Sequence, residues 1–380
     1  MRKVLNIILI LCLVLSALSL PLVYAAEDSW TTLEPMPTAR DMFGVAVIDR
    51  KIYAIGGYPV YNGSTLAIGT NEMYDPTTDT WTTKTPMPTA RVGFGIAVYQ
   101  NKIHVMGGYI PGHAPFSRAH EVYDPETDTW ETRKGTEFKA FFCANVVNEK
   151  LYVIGGHRQV FYPHMTVDQN MVYDPIIDSW TNLAPIPVDV GDYASAVIDN
   201  KIYLMGGRSG SVNAENILTQ IYDTETDTWT TGARIPSIVF NAAAGATSGE
   251  FAPKKIYVLG GIDYSKRIAS DFVLSLYDPE ATSNLTQVYY PETDTWTTGA
   301  PMLTSRYGLD VAVIDDRLYA IGGKKGGETY PTSYYNKNEM YTPVGYIPEF
   351  PSWTILPIFI TAILAVIIYR KRMSRLRVKL

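Results

Sequence analysis

Five times the chain spells a variant of one eight-residue phrase: YDPTTDTW (74–81), YDPETDTW (123–130), YDPIIDSW (173–180), YDTETDTW (222–229) and YYPETDTW (289–296). A unit that recurs at this spacing is one supersecondary element that cannot bury its apolar faces alone, so successive copies must stack. Two fragments flank the series. Trp30 in EDSWTTLEPMP has no tyrosine phrase before it, and Tyr341 in NEMYTP has no tryptophan after it. The chain therefore begins with the tail of its repeat and finishes with the head.

More than the tryptophan recurs. A double glycine stands at Gly56-Gly57, Gly107-Gly108, Gly155-Gly156, Gly206-Gly207, Gly260-Gly261 and Gly322-Gly323, each after a short apolar run such as KIYAI or RLYAI. Before five of these runs lies a second apolar run ending in a two-residue polar turn, as in GVAVIDRKIYAIGG, which reads as a tight hairpin. The tyrosine phrase supplies another hairpin, because Asp-Pro opens a tight turn and the Trp-Thr-Thr stretch begins a further strand. Each unit is a four-stranded antiparallel meander. Strands this apolar need cover on both faces, and a closed ring of sheets provides it without exposed ends. The expected fold is all-β: a six-bladed β-propeller over residues 26–344, whose last blade takes its fourth strand from the N-terminal segment around Trp30. In this reading Trp30, Trp81, Trp130, Trp180, Trp229 and Trp296 are buried wedges between blades, and the glycines allow a sharp departure or a close backbone approach.

The double glycine, tyrosine and tryptophan at these spacings resemble kelch repeats across residues 28–343. Blade five departs from the pattern. It carries the tyrosine phrase twice, at Tyr277 and Tyr289, and the sequence does not say which copy pairs in the sheet. It also has the longer first hairpin GATSGEFAPKK.

The two ends read as addresses. Residues 1–25 combine two positive charges, an apolar run and small residues, the layout of a secretory signal peptide. Residues 354–369 form an apolar run followed by a basic tail at 370–380, which predicts a transmembrane helix with the tail cytoplasmic and the propeller extracellular on the cell membrane. The linker 345–353 contains Pro348-Glu349-Phe350, and the order of motif, span and basic tail resembles the sorting signals of archaeal surface proteins; that resemblance implies a sortase-like processing enzyme. Asn62 and Asn284 stand in glycosylation sequons.

Charge excludes one class of partner. All 38 acidic residues lie between Glu27 and Glu349, whereas eight of the 32 basic ones sit at the termini, so the body carries 24 against 38, a net charge of −14. Such a body repels nucleic acid. The cysteines are Cys12 and Cys143, and with Cys12 in the signal peptide no intrachain disulfide remains. No hydrolase elbow, zinc-binding helix, Cys-x-x-Cys pair or nucleotide loop appears, and the patterns call for no cofactor and no metal. Kelch-like copper radical enzymes need a cysteine crosslinked to tyrosine and two histidines; Cys143 in FFCANVV reads instead as a small buried residue.

Sixteen positions before the double glycine stand Arg40, Arg91, Lys139, Val190 and Arg306, in blades one, two, three, four and six. Four of them are cations on consecutive blades, joined by Lys324 and Lys325, and an arc of positive charge near the axis would focus an anionic ligand. The resemblance adds that kelch adaptors of ubiquitin ligases grip acidic peptides with arginines at the position of Arg40, Arg91 and Arg306. The bland alternative is that these arginines hold carbonyls or acidic neighbours at the loop bases. Loops of the same face carry Tyr58, Tyr61, Tyr109, Phe116, Phe161 and Tyr162, and the histidines His113, His120, His157 and His164. Aromatic side chains suit stacking on sugars or peptides, and the histidines read as polar loop residues. The functional expectation is a membrane-anchored recognition module for an anionic glycan or protein, with Arg40, Arg91, Lys139, Arg306, Lys324, Tyr58, Tyr109 and His157 at its binding face. The alternatives are a secreted sugar-modifying enzyme resembling sialic-acid mutarotases, and a structural envelope component.

Overall fold

A computed structural model describes residues 26–59, 66–113, 116–137, 139–158, 166–210, 219–266, 280–326 and 333–348. The signal peptide, Glu349-Phe350, the span at 354–369, Asn62, Tyr61, Phe161, Tyr162, His164 and the Tyr277 copy of the phrase lie outside them. No helix among the described residues is long and apolar enough to cross a membrane.

Ala25–Gly345 form one compact unit of six four-stranded antiparallel sheets. Blade one runs Gly44–Ile48, Lys51–Ile55, Asn71–Asp75 and Thr80–Lys84, and blades two to four repeat that order. In blade five Ile256 pairs with Tyr289, so the second copy of the phrase is the one in the sheet. Blade six joins Asp310–Ile314, Arg317–Ile321 and Asn338–Thr342 to Ser29–Thr32, with Trp30 opposite Tyr341. The ring is closed by the N-terminal strand. The short hairpins turn as the sequence implies: Asp49-Arg50, Gln100-Asn101, Asn148-Glu149 and Asp315-Asp316 all have positive φ, the geometry that matches strand twist in a two-residue loop.

The apolar cores lie between blades. Val45, Ile52 and Tyr74 of blade one pack against Ala312, Tyr319 and Met340 of blade six, and five further clusters fill the other seams. The buried wedges are the phrase tyrosines: Tyr74, Tyr123, Tyr173, Tyr222, Tyr289 and Tyr341 are almost fully buried. The six tryptophans, expected to be buried, are half-buried instead. Each lies beside its tyrosine, with ring centroids 4.9–5.1 Å apart, on the fourth and outermost strand of its blade.

Each tryptophan also staples its blade to the previous one. Trp130 Nε1 donates to the Thr85 carbonyl (2.9 Å), and Thr85 N–H donates to Asp128 (2.9 Å), which also accepts the Tyr123 hydroxyl (2.5 Å). The same trio holds Glu34, Lys134, Ala184 and Ala233. At the closing seam Asp28 and Trp30 hold Ala300, and Tyr341 donates to Asp28 across 313 residues. Asp28 thus plays the part of the phrase aspartate from the other end of the chain.

Near the axis the backbone makes a closed cycle. Met42 N–H donates to Gly308, Gly93 to Met42, Phe141 to Gly93, Asp192 to Phe141, Asn241 to Asp192 and Gly308 to Asn241, at 2.6–3.0 Å. All six residues have φ between +51° and +62°. One residue per blade in this conformation is what a six-membered peptide ring requires, and each hydrogen bond crosses a seam. The double glycines work one step outward. Gly57 N–H donates to Arg91 C=O of the next blade, and a Cβ on Gly57 would lie 2.7 Å from Asp41 C=O. The equivalent bond recurs at Gly108, Gly156, Gly207, Gly261 and Gly323.

Candidate functional site at the axial mouth

The loops after strand two and before strand one meet at one end of the ring, where the residue following each double glycine pairs with backbone entering a first strand: Tyr58 with Asp41, Tyr109 with Val92, His157 with Ala140, Arg208 with Gly191, Ile262 with Phe240 and Lys324 with Tyr307. These six positions surround the axial mouth.

The expected arc of ligand-facing cations is not there. Arg40, Arg91, Lys139 and Arg306 are each 0% exposed. Arg40 bonds Ala54 C=O (2.9 Å) and pairs with Glu72 (3.0 Å), whose other oxygen accepts Thr38 Oγ1 (2.6 Å). Arg91 pairs with Glu121 and donates to Gly107 and Val105 carbonyls, while Thr89 Oγ1 donates to Glu121 (2.6 Å). Arg306 repeats the set with Ala320, Glu339 and Thr304. Burial pulls Arg40 and Arg306 down to about 10, with Glu72 and Glu339 opposing. These guanidiniums clamp strands two and three of their own blades, and none is available to a ligand.

The signal for this was in the sequence. Thr-x-Arg occurs in blades one, two and six (38–40, 89–91, 304–306), the blades with glutamate two residues before the phrase tyrosine: Glu72, Glu121 and Glu339. Blades four and five put Gln220 and Gln287 at that place and Val190 and Val239 at the cation's, and each glutamine exchanges two hydrogen bonds with the backbone of Val188 or Ser237. Blade three has Lys139 opposite Met171, so its buried ammonium meets no carboxylate partner; burial draws its pKa down to about 7.

Charge at the mouth is instead held in two clusters. Lys324 pairs with buried Asp41 (2.7 Å) and lies over the rings of Tyr307 and Tyr334. Burial works against the ammonium, but Asp41 outweighs it and holds Lys324 above its ordinary range. Tyr58 stands beside this pair, its phenol raised chiefly by burial and then by Tyr109 and Asp41. On the other side Asp192 accepts His157 Nε2–H (2.9 Å) and Arg208 Nε–H (2.7 Å); burial favours its neutral form, yet Arg208 and His157 keep it well below the carboxylate range. Lys325 is half-buried and pairs in a two-residue strand with Ser333.

The remaining expected residues scatter. Tyr109 is half-buried against Phe116 (5.7 Å), and Phe116 is buried against Phe141 (6.2 Å). His113 is exposed, whereas His120 is buried inside the sheet, 2.9 Å from His104 Nδ1. Asn284 turns its amide inward to Met302 C=O (3.1 Å) and is half-buried, a poor presentation for a glycan. Among the described residues no group of three or more His, Cys, Asp or Glu is placed to hold a metal.

The Kelch motif matches residues 39–88, 90–133, 139–187 and 191–235. The chain is a Kelch-repeat propeller. It is similar to Kelch-like protein 23 of Mus musculus, 31% identical over 243 residues, which is 63% of this chain and 40% of that protein. It also resembles Kelch-like protein 26 of Danio rerio (26% identical, 55% of this chain and 34% of the relative) and Kelch-like protein terF of Aspergillus terreus (27%, 58% and 50%). The chain thus spans a third to a half of the length of these curated relatives. Among solved structures, that of YjhT superposes with a TM-score of 0.64 at 15% identity, covering 81% of this chain and 96% of that one, a likeness of fold. The motif matches stop at residue 235; blades five and six, with the doubled phrase and the seam, share the four-stranded sheet and the tryptophan staple of the others.

Proposed function

We propose that this Kelch propeller is a recognition module that holds a protein or glycan ligand over its axial mouth, displayed outside the cell on a C-terminal membrane anchor. One observation carries the reading. The repeat fixes its glycines, tyrosines, tryptophans and Arg–Glu clamps for blade packing, whereas the residue after each double glycine changes from blade to blade around one opening: Tyr58, Tyr109, His157, Arg208, Ile262 and Lys324. His157 and Ile262 are buried, while Tyr58, Tyr109, Arg208 and Lys324 keep partial exposure, and variation at a common place in the loops is how a scaffold carries specificity.

The chemistry of the mouth favours a mixed rather than purely anionic ligand. Lys324 and Arg208 are neutralised by Asp41 and Asp192, so the opening offers phenols and paired charges. Tyr58 and Tyr109 combine apolar area with a hydroxyl, which suits peptide or sugar faces. The signal-peptide layout, the apolar run at 354–369 and the basic tail support surface display.

A peptide and glycan array probed with the purified protein tests the reading. Native protein should retain a ligand that Tyr58→Ala/Tyr109→Ala loses, at unchanged melting temperature. Equal retention by both proteins would remove the mouth as the site, and turnover of a sugar would replace recognition with catalysis.

A further inference from the structure

Below the peptide cycle lies an axial cavity of about 250 Å³ lined by the first strands of all six blades. The register decides what those strands show it. In blade one the two-residue turn makes Ile48 and Lys51 a hydrogen-bonded pair, so Ala46 is bonded to its neighbour strand and Val45 is not. Val45 therefore turns its peptide groups to the axis. The same count gives Ile96, Ala144, Ser195 and Val311, and in blade five the Thr247 N–H bond to Lys255 gives Ala244. All six line the cavity. One carbonyl and one N–H per blade thus face the axis, and Asp310 takes the N–H groups of Val45 and Val311.

Side chains at the level just above are small in four blades, Gly44, Gly95, Ala194 and Ala243, and the exceptions are Cys143 and Asp310 on opposite sides of the ring. Asp310 accepts N–H from Val45 (2.7 Å) and Val311 (2.8 Å), which leaves further lone pairs of its carboxylate for a third group. Asn145, 7% exposed, accepts the Ser195 hydroxyl at Oδ1 (3.1 Å) and has its Nδ2 without a partner. Since the serine hydroxyl can accept as well as donate, the amide can present its oxygen instead. No Lys, Arg or His lines the cavity among the described residues. The other carboxylate, Asp192, is already matched by Arg208 and His157, whereas Asp310 faces no cation and burial raises it to about 6. Cys143 is pushed up to about 12 by burial and donates to Tyr193 C=O (3.3 Å), so it offers no thiolate for a soft metal.

We propose that the axial cavity binds one hydrated divalent cation of the calcium type, with Asp310 as its charged ligand and Asn145, inner-strand carbonyls and water completing an oxygen shell. Calcium accepts six to eight oxygens in flexible geometry, carbonyls included, and tolerates retained water. The cavity has room for about eight waters at roughly 30 Å³ each, enough for an ion with part of its hydration shell. A single carboxylate puts the affinity at the weak end, about 0.1–1 mM, the range of extracellular modules. The net charge of −14 on the body raises the local concentration of cations at the mouth.

The experiment uses the purified full chain, stripped with chelator and dialysed against calcium chloride. Equilibrium dialysis should find one calcium per chain with a dissociation constant of about 0.1–1 mM and a calcium-dependent rise in melting temperature. Asp310→Asn should weaken binding about tenfold or more and abolish that rise, while the exposed-surface control Asp199→Asn leaves both unchanged. Asn145→Ala should weaken binding several-fold. Should Asp310→Asn lose its near-ultraviolet circular dichroism, Asn145→Ala in folded protein decides. Equal calcium binding by the native chain and the decisive variant, or none by the native chain at about 10 mM, a concentration well above the expected range, would overturn the site.

Discussion

Lys139 is the residue whose environment departs furthest from its counterparts. Arg40, Arg91 and Arg306 each find a glutamate, but Met171 leaves Lys139 buried without one. Its pKa falls from 10.5 to about 7 on folding. The unfolded chain therefore binds more protons between those values, and stability rises with pH across that window. Lys139→Met should stabilise the protein at pH 7 by up to several kcal/mol, with the gain over native shrinking as pH rises toward 10.5, as read in chemical denaturation. Breaking a clamp should do the reverse. Glu121→Ala strands a buried guanidinium and should cost about 3–5 kcal/mol, whereas Arg91→Val/Glu121→Gln, the combination native to blade four, should cost much less. Sequence reading found the cation positions and gave carbonyls or acidic neighbours as the alternative to a ligand, which is what the structure shows, but it did not name the glutamates. The clue to them was the glutamate two residues before the phrase tyrosine, in the same three blades as Thr-x-Arg.

Among elements, the seam between blades two and three is the unusual one. His120 occupies the strand-three position held by Asn71, Asn170 and Asn338 in other blades, where the side chain donates to the carbonyl that the stapling tryptophan also binds. It lies against His104 and Tyr173, and burial lowers His120 to about 4 and His104 to about 3. Both must take up protons to unfold below pH 6.5, so stability falls as pH drops from 6.5 toward 4. His120→Asn should flatten that slope while preserving the bond to Lys134 C=O, which melting curves at successive pH values would show. A slope unchanged in the variant would place the acid sensitivity elsewhere. The strands, hairpins and phrase turns were legible because short apolar runs bounded by turn residues and Asp-Pro turns act locally. The tryptophans were misjudged because size and apolarity suggest a core, yet the indole N–H needs a carbonyl, and the linker carbonyl it finds lies at the blade's rim.

At the scale of the whole molecule, the fragments at the two ends of the repeat determined the topology, since a lone tail and a lone head complete one blade. The mouth was less legible, because the residues after the double glycines share a place in the ring but no residue type. The closing seam copies the interior ones: Asp28 and Trp30 engage Ala300 as Asp128 and Trp130 engage Thr85. The decisive measurement is the unfolding free energy of Asp28→Ala/Trp30→Ala beside Asp128→Ala/Trp130→Ala. A ring sealed by its amino-terminal strand predicts comparable losses, each about 3–5 kcal/mol from lost aromatic burial and hydrogen bonds. A terminal double variant as stable as the native protein, beside a weakened interior one, would show that the seam is not closed this way.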